Sequence, residues 1–308
     1  MKQAKLQNYI LIHAHLVINE RKEYLDGMLV VRNGRIIDLQ PQSHVIKEEY
    51  LDLPVLDVRG NTILPSDYAP LVPYRPDLTE ADLFTQGIGS YELYVEKDIP
   101  FSLARIREQK EKYTACDGIV LKLSGKEVPE YLSKENISAF LINPQEADPS
   151  LLQMIRDAGK KILFGDSAKT FAKEETIDED VVFAQLFRSG EFGISDRRLL
   201  NLAFDQEENY KIFKPAEENL HLLKLVCGHF HTDRLIFDLS GIGKEALLTA
   251  LRRGKIPYRQ IAAYLGCNGR RCFGREELTL QKGRQASFYC VNNSGRILFS
   301  IREGVCYR

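Results

Sequence analysis

Strand-like and helix-like segments alternate along the middle of the chain, and this alternation constrains the fold most. A charged amphipathic segment near Ser102–Tyr113 predicts a helix, and the apolar runs Gly118–Leu123 and Ala139–Ile142 predict strands. Further strands are predicted at Ile162–Phe164, Val181–Ala184 and Arg234–Phe237, with helices at Ser150–Ala158, at about Glu217–Cys227, from Ser240–Lys244 through EALLTALRRG, and at Tyr258–Leu265. Such alternation is typical of a parallel sheet or a β/α barrel.

Both ends of the chain predict strands without helices. MLVVRNGRIIDL places an Asn33-Gly34 turn between two apolar runs, and the closing segment has turns at Asn293–Gly295 and Glu303-Gly304. Residues Pro65 to Pro76 carry four prolines, which indicates an irregular linker. We therefore expect residues 1–64 and 276–308 to form a small β-sandwich domain beside a shortened β/α barrel domain at residues 65–275.

The composition is that of an ordinary globular protein. The chain has 308 residues, of which 44% are hydrophobic, and its 42 basic and 43 acidic residues leave a net charge of -1. Nothing in this balance favours a nucleic acid or an anionic membrane as partner. No signal-peptide pattern opens the chain, and no apolar run approaches the ~20 residues that span a bilayer. We expect a cytoplasmic protein.

The cysteines and two early histidines give weak signals of chemistry. The six cysteines form no CxxC pair, so we expect reduced thiols. Arg270 and Arg271 between Cys267 and Cys272 could lower a thiol pKa, but plain thiols are the simpler interpretation. His13 and His15 occur as HAH in the first predicted strand, so the two side chains would share one face of it. Because no third ligand is nearby in sequence, a half-exposed strand face is favoured over a metal site.

Two polar residues follow predicted strands directly. Asp166 comes just after Ile162–Phe164, and Gln185 comes just after Val181–Ala184. In parallel α/β folds, ligands bind beyond the carboxyl ends of the strands, so functional residues are expected at such places. From the residues alone, a solvated carboxylate and a hydrogen-bonded amide are the simplest interpretations.

Several strings in sequential order resemble the amidohydrolase superfamily, most closely its N-acetylglucosamine-6-phosphate deacetylase family. They include MLVVRNGRIIDL, KLSG, INPQ, ILFGDSAKTF, AQLF, LIFDLSG, GKEALLTALRRG and CNGRRCFG. The resemblance implies a TIM-like barrel, a small β domain from both chain ends and a homodimer. It also implies one or two divalent metals at the barrel mouth, where the metal activates water and an Asp acts as general acid/base.

Carried over by position, the family's ligands are mostly absent. Its H-x-H falls on Leu71 and Pro73, its Glu on Ser124, and its two single histidines on Asp166 and Gln185, whereas its Asp matches Asp238. Apolar, hydroxyl and amide groups are poor substitutes for imidazoles around zinc or a similar cation, so we expect no metal cofactor. Among the late histidines, His221 lies at the start of a predicted helix, and His229 and His231 lie near the amino end of a predicted strand. All three are disfavoured as replacements.

The resemblance and the residues leave three functional hypotheses open. The leading one is a metal-free amidohydrolase-like protein without hydrolase activity. In it, Lys122 and Ser124 point inward. The charge of Lys122 either offsets the negative charges of Asp238 and Asp166 or extends into solvent. The second is binding of a phosphorylated sugar by a helix start with a lysine and by arginines where the family contacts phosphate, although Asp196 occupies the family's own arginine position. Its residues are Ser240, Gly241, Gly243, Lys244, Arg188 and Arg197.

The third hypothesis is a working enzyme. Either the deacetylase activity persists, or the protein is a metal-independent enzyme that uses Asp238 and Lys122. An inward lysine can form a Schiff base with a carbonyl substrate. The stretch from Pro65 to Gly274 is near the lower size limit for eight β/α units, so we expect some units to be reduced.

Overall fold

A computed structural model describes residues 3–42, 45–165, 181–186, 209–217, 220, 223–229 and 233–308 of the chain. Two sheets organise these residues. The first is mixed and has the order β1-β17-β16-β15-β6-β2-β3-β4, with β5 paired to β2. Its strands are β1 (Gln3–Lys5), β2 (Tyr9–Val17), β3 (Glu23–Arg32), β4 (Arg35–Gln40), β5 (Val55–Asp57), β6 (Thr62–Pro65), β15 (Ser287–Val291), β16 (Ile297–Arg302) and β17 (Val305–Tyr307).

The first sheet joins the two ends of the chain, as the sequence predicts. Strand β15 pairs antiparallel with β6, which puts the C-terminal strands next to the N-terminal ones. The predicted turn between β3 and β4 is confirmed, because Asn33 and Gly34 both have positive φ, as a two-residue hairpin requires. The sheet curls around a shared apolar core. Arg35, at the start of the edge strand β4, forms an isolated β-bridge with Gln285.

The second sheet is parallel and has the order β14-β13-β12-β11-β10-β9-β8-β7. Its strands are β7 (Asp67–Pro73), β8 (Ile88–Val95), β9 (Cys116–Lys122), β10 (Ile137–Ile142), β11 (Lys161–Gly165), β12 (Val181–Leu186), β13 (Lys211–Phe213) and β14 (Leu235–Phe237). The helices are α1 (Glu80–Thr85), α2 (Ile99–Glu108), α3 (Pro149–Asp157), α4 (Leu223–His229), α5 (Lys244–Arg253), α6 (Tyr258–Ala262) and α7 (Asn268–Cys272).

Alternate residues of the parallel strands fill two different cores. One cluster takes a residue from each of several strands and occupies the concave side of the curled sheet, as Val120, Leu141 and Leu163 show. The intervening residues, such as Phe140 and Ile162, pack with helix residues on the convex side. Strands buried on both faces are typical of β/α folds. The prediction of a reduced TIM-like barrel with a small β domain from both chain ends is confirmed.

The first two strands of the barrel were missed from the sequence. The prolines from Pro65 to Pro76 predict a linker, yet Asp67–Pro73 forms β7, and β8 follows at Ile88–Val95. The linker prediction was wrong because β7 is an edge strand, and an edge strand tolerates residues such as Pro70 and Pro73 that have no N–H to donate.

The barrel wall has a seam between β7 and β14, which are the two ends of the parallel sheet and are not paired with each other in the described part of the chain. A continuous helical run covers this seam. It consists of α6, a π turn at Ala263–Cys267 and α7, and the π turn packs against both β7 and β14. The Asn268 side-chain amide donates a 2.7 Å hydrogen bond to the backbone carbonyl of Leu235 in β14.

None of the helices in the described ranges is long and apolar enough to cross a bilayer.

Candidate functional site

We call the face formed by the carboxyl ends of the parallel strands the barrel mouth, and an open cleft lies there at the ends of β8 to β11. Its volume is about 870 Å³, and its walls come from four consecutive strand ends and the loops after them. The lining includes Glu96–Pro100, Lys122–Ser124, Leu141–Asn143 and Gly165. This is the position at which parallel β/α folds bind ligands, so the cleft is the candidate site.

Lys122 faces this cleft from the end of β9. It lies two residues after Val120, a member of the concave core, so alternation directs it to the same side, as predicted. Its Nζ atom lies 3.9 Å from Glu96 Oε2, and the Tyr94 hydroxyl donates a 3.0 Å hydrogen bond to the same oxygen. About a third of each charged side chain is exposed. Among the described residues Glu96 is thus a partner of Lys122, and the predicted pairing with Asp166 lies outside the described residues.

Ser124 lies just beyond β9 and is engaged by a local carboxylate. Its backbone N–H and its hydroxyl donate to Glu127 Oε2 at 3.1 and 2.6 Å. These two hydrogen bonds lower the pKa of Glu127. The next backbone N–H, that of Gly125, donates to Glu146 Oε2 at 2.6 Å. Carboxylates therefore order this loop, and Ser124 is a donor within it.

Asp238 ends β14 and caps the helical turn that follows. Its two carboxylate oxygens accept from the Ser240 backbone N–H at 3.0 Å and from the Ser240 hydroxyl at 2.6 Å, which is a common N-cap arrangement. The side chain is buried, and burial raises its pKa, while the Ser240 bonds and the charge of Lys214 act in the opposite direction. Its geometry is that of a structural cap that also lies at the mouth.

Lys244 does not face the mouth. Its Nζ atom is completely buried, 2.6 Å from Asp67 Oδ2 at the start of β7 and 3.3 Å from the centre of the Tyr289 ring. The sequence predicted that the helix start at Ser240, Gly241 and Gly243 offers backbone N–H groups and Lys244 to a phosphate. The structure corrects this placement, because a buried carboxylate and an aromatic face already engage the charge.

The metal-ligand positions implied by the resemblance can be compared with the described residues. Leu71 is buried in the concave core, Pro73 ends β7 without a donor group, and Ser124 is bound to Glu127. Asp166, Arg188, Arg197, His221 and His231 lie outside the described residues, and of Gln185 and His229 only the backbone is described. Among the implied positions that are described, Asp238 is the carboxylate and no imidazole occurs.

One group of metal-ligand types does converge elsewhere in the described ranges. Ligand atoms of Glu20, Cys267 and Glu277 lie within 4.8 Å of one another. The guanidinium of Arg271 already pairs with both carboxylates, at 3.1 Å to Glu20 and 2.6 Å to Glu277. Burial raises the pKa of the Cys267 thiol to about 12, which opposes the thiolate that a metal would need.

The early histidines and the cysteines do not build a site. His13 has a φ of 52° and pairs with Asp57 at 3.1 Å, whereas His15 pairs with Glu23 at 2.8 Å, so irregular pairing in β2 gives them separate partners. All six cysteines are free, and burial raises the pKa of Cys272 to about 12. The simpler interpretation of Cys267 and Cys272 as plain buried thiols is confirmed.

Three acidic residues of the cleft were missed from the sequence. Glu96 follows β8, which was hidden behind the proline-rich segment, although the alternating run ending in YVE is itself a strand signal. Glu127 and Glu146 follow β9 and β10 by several residues, in loops whose course no periodicity defines. Spacing alone therefore could not place them beside Ser124 and Gly125.

Comparisons with known proteins agree with this architecture. No protein-family model and no curated protein sequence matches the chain. Among solved structures, an N-acetyl-D-glucosamine-6-phosphate deacetylase from Mycobacterium smegmatis matches with a TM-score of 0.71 and 12% identity, over 96% of this chain and 99% of the other.

Two further solved structures show the same similarity. The N-acetylglucosamine-6-phosphate deacetylase from Pasteurella multocida gives a TM-score of 0.72 at 11% identity, over 96% of this chain and 98% of that one. A β-aspartyl dipeptidase from Fervidobacterium islandicum AW-1 gives 0.68 at 11%, over 97% and 95%. At such identities the likeness concerns the fold. The chain therefore has the amidohydrolase fold, in the form found in N-acetylglucosamine-6-phosphate deacetylases.

Proposed function

We propose that this protein binds a small polar molecule at the barrel mouth and is not a metal-dependent hydrolase. The proposal rests on one observation, which is that polar side chains at the mouth already bind one another. Ser124 donates to Glu127, Asp238 accepts twice from Ser240, and Lys122 lies beside Glu96. In the described residues, these contacts leave a cleft in which Ser124, Asp238 and Lys122 already have protein partners.

The chemistry of the replaced positions supports the same proposal. An amidohydrolase metal needs imidazole and carboxylate donors, and it lowers the pKa of a bound water to make a nucleophile. Leu71 and Pro73 have no side-chain donor atom, and a neutral hydroxyl such as that of Ser124 is a weak ligand. Without a metal, activation of water for attack on an amide would require a free general base, and Asp238 is already bound by Ser240.

The charge of the cleft suggests the class of ligand. Its described lining has two lysines, Lys97 and Lys122, and five carboxylates, Glu96, Asp98, Glu127, Glu130 and Glu146. A cleft lined mainly by one sign of charge attracts ligands of the other sign. We therefore propose a neutral or cationic polyhydroxylated ligand, such as an unphosphorylated amino sugar. The predicted phosphorylated sugar is the second candidate and would require Arg188 and Arg197, which lie outside the described residues.

A thermal-shift panel tests the proposal. Glucosamine, N-acetylglucosamine and N-acetylglucosamine-6-phosphate are compared, since a ligand that binds only the folded state raises the unfolding midpoint. We expect the largest rise with glucosamine. A rise with the phosphorylated sugar alone would favour the second candidate, and no rise with any sugar would remove the amino-sugar assignment.

An activity assay tests the absence of hydrolysis. Release of acetate from N-acetylglucosamine-6-phosphate is measured with and without added zinc, in the wild type and in Asp238→Asn. We expect no turnover above the uncatalysed rate in either protein. Turnover that Asp238→Asn abolishes would restore the hypothesis of a working deacetylase. Borohydride trapping of Lys122 by a carbonyl sugar would instead support the Schiff-base alternative. The homodimer and the cytoplasmic location stay predictions.

A further inference from the structure

The seam between β7 and β14 lacks the backbone hydrogen bonds that join every pair of neighbouring strands within the parallel sheet. In a closed barrel each strand has hydrogen-bonded neighbours on both sides. Here β14 pairs with β13 and β7 pairs with β8, and no ladder joins β14 to β7. Opening of the wall at this place would break no strand-to-strand backbone bonds, whereas opening between β8 and β9 would break a full ladder.

A short connecting segment crosses this seam. It begins at Asp238, continues through the helical turn Leu239–Gly241, which contacts β7, and reaches Lys244 at the start of α5. We call residues 238–244 the strap. Gly243 within the strap is exposed, and a Cβ added there would meet no atom within 4 Å. The strap is therefore packed unevenly, because Leu239 belongs to the apolar core and Ile242 packs against it, whereas Gly243 is open.

The end of the strap is held by an unusual contact. Lys244 Nζ and Asp67 Oδ2 lie 2.6 Å apart, and neither atom has another hydrogen-bond partner in the described residues. The Tyr289 hydroxyl of β15 donates a 3.1 Å bond to Asp67 Oδ1, and its ring faces the ammonium. All three side chains are buried.

Such a contact makes closure of the seam depend on two charges. Buried ions lose hydration, and the attraction between them offsets that loss only while both partners are present. If the strap moves away, Lys244 and Asp67 regain water, so the open state is less unfavourable than it would be for an apolar contact. Among the described residues, the Asn268 hydrogen bond to Leu235 and the packing of the π turn and of α7 against both strands also bridge the seam.

We propose that the seam is a built-in opening of the barrel, in which the strap separates reversibly from β7 and the Asp67–Lys244 pair controls how often it does so. The motion changes the position of Asp238 and widens the mouth from the side of β14. It leaves the ladders from β8 to β13 intact. Segments that open below the cost of global unfolding are held by few backbone hydrogen bonds, and in the described residues no ladder joins β7 to β14.

Hydrogen exchange of the full chain, followed by mass spectrometry, tests the proposal. In the wild type, peptides from residues 238–247, the seam peptides, should exchange at least about tenfold faster than peptides from β8 and β9. Lys244→Met leaves Asp67 buried without its partner and should accelerate the seam peptides by a further factor of about ten, with little change in β8 and β9. Asp67→Asn combined with Lys244→Met should restore the protection of the seam peptides to the wild-type level or above.

Two further variants separate a local opening from general destabilisation. Tyr289→Phe removes one hydrogen bond to Asp67 while keeping the ring over Lys244, and should accelerate the seam peptides modestly. Arg275→Met breaks a buried pair with Glu92 that does not cross the seam, and should not accelerate the seam peptides selectively. Equal exchange of seam and central strands in the wild type, or equal acceleration of all peptides in Lys244→Met and Tyr289→Phe, would overturn the proposal.

Discussion

Arg275 Nη2 lies 2.9 Å from Glu92 Oε1 on the concave side of the barrel, near its amino-terminal end. Glu92 is completely buried, and it also accepts from the Tyr68 hydroxyl and the Ser138 hydroxyl, both at 2.7 Å. Burial raises the pKa of Glu92, and Arg275 with the two hydroxyls opposes this rise. Each of the two carboxylate oxygens is therefore bonded, and the network closes the end of the barrel opposite the mouth.

Breaking this pair should be costly. Arg275→Met leaves the Glu92 carboxylate buried without a cation, and we expect the free energy of unfolding to fall by about 3–5 kcal/mol in urea denaturation. Arg271→Met is the matched control, because its guanidinium pairs with Glu20 and Glu277 at a partly exposed site and should contribute about 1 kcal/mol or less. Similar losses in the two variants would contradict the assigned role of the Glu92 network.

The same network explains a glycine in β9. A Cβ at Gly118 would lie 2.9 Å from Arg275 Nη2, closer still to Glu92 Oε2, and 3.0 Å from the Cβ of Ser138. Because hydrogen bonds fix these groups, we expect Gly118→Ala to destabilise the protein by about 1–3 kcal/mol. Gly228→Ala, in α4 and with open space around it, should instead stabilise by up to about 1 kcal/mol. Thermal unfolding of both variants measures the contrast.

The Asp67–Lys244 pair predicts a pH dependence of stability. Burial raises the pKa of Asp67 to about 6 and lowers that of Lys244 to about 8. The folded state then binds the Asp67 proton more tightly than the unfolded chain, so this group's contribution to stability increases as the pH falls from about 6 to about 4. Lys244 releases its proton more readily when folded, so its contribution increases as the pH rises from about 8 to about 10.

The contribution of the Asp67–Lys244 pair to the free energy of unfolding should therefore be smallest between about pH 6 and pH 8. The variant with Asp67→Asn and Lys244→Met should exceed the wild type in unfolding free energy most in this window, by on the order of 1–4 kcal/mol. The difference should shrink at about pH 4.5 and at about pH 9.5. Urea titrations at the three pH values measure it, and a difference that grows in acid would contradict the directions of the two pKa shifts.

The acidic mouth predicts a change of ligand preference when one carboxylate is removed. Glu96→Gln keeps the shape of the cleft and the Tyr94 partner but lowers its negative charge, so we expect the affinity for glucosamine to fall about threefold to tenfold. Binding of neutral N-acetylglucosamine should change little. Glu108→Gln, on the exposed face of α2 and outside the cleft, should leave both affinities unchanged. Calorimetric titration compares the variants, and an equal loss for both sugars would argue against charge selection.

Much of the fold could be predicted because its signals are local. Apolar runs bounded by glycine and helix caps locate β9 to β12 and α3 within a few residues, and Asn33-Gly34 fixes a hairpin. The prolines of β7 led to the wrong prediction of a linker. A strand accommodates proline when it lies at the edge of a sheet, and that position is a property of the assembled sheet. The π turn at Ala263–Cys267 was also beyond prediction, since periodicity shows a buried helix but not its local widening.

The candidate site was predictable only in part, for a physical reason. Alternation in β9 places Lys122 inward, but its partner Glu96 comes from a neighbouring strand, and such pairing depends on register. The partner of Lys244 was even harder to predict from the sequence. A lysine at a helix start suggests an exposed anion site, while its actual partner Asp67 is far away in sequence and reaches it only through the strap across the seam.

Metal binding by the purified protein tests the central claim most directly. Zinc and iron are quantified by elemental analysis after dialysis, in the wild type, in Asp238→Asn and in Cys267→Ser, which separates the mouth from the Glu20–Cys267–Glu277 group. We predict less than about one tenth of an equivalent in all three proteins, because the donors at the mouth do not fit these cations. One equivalent of metal that Asp238→Asn loses and Cys267→Ser retains would contradict the account.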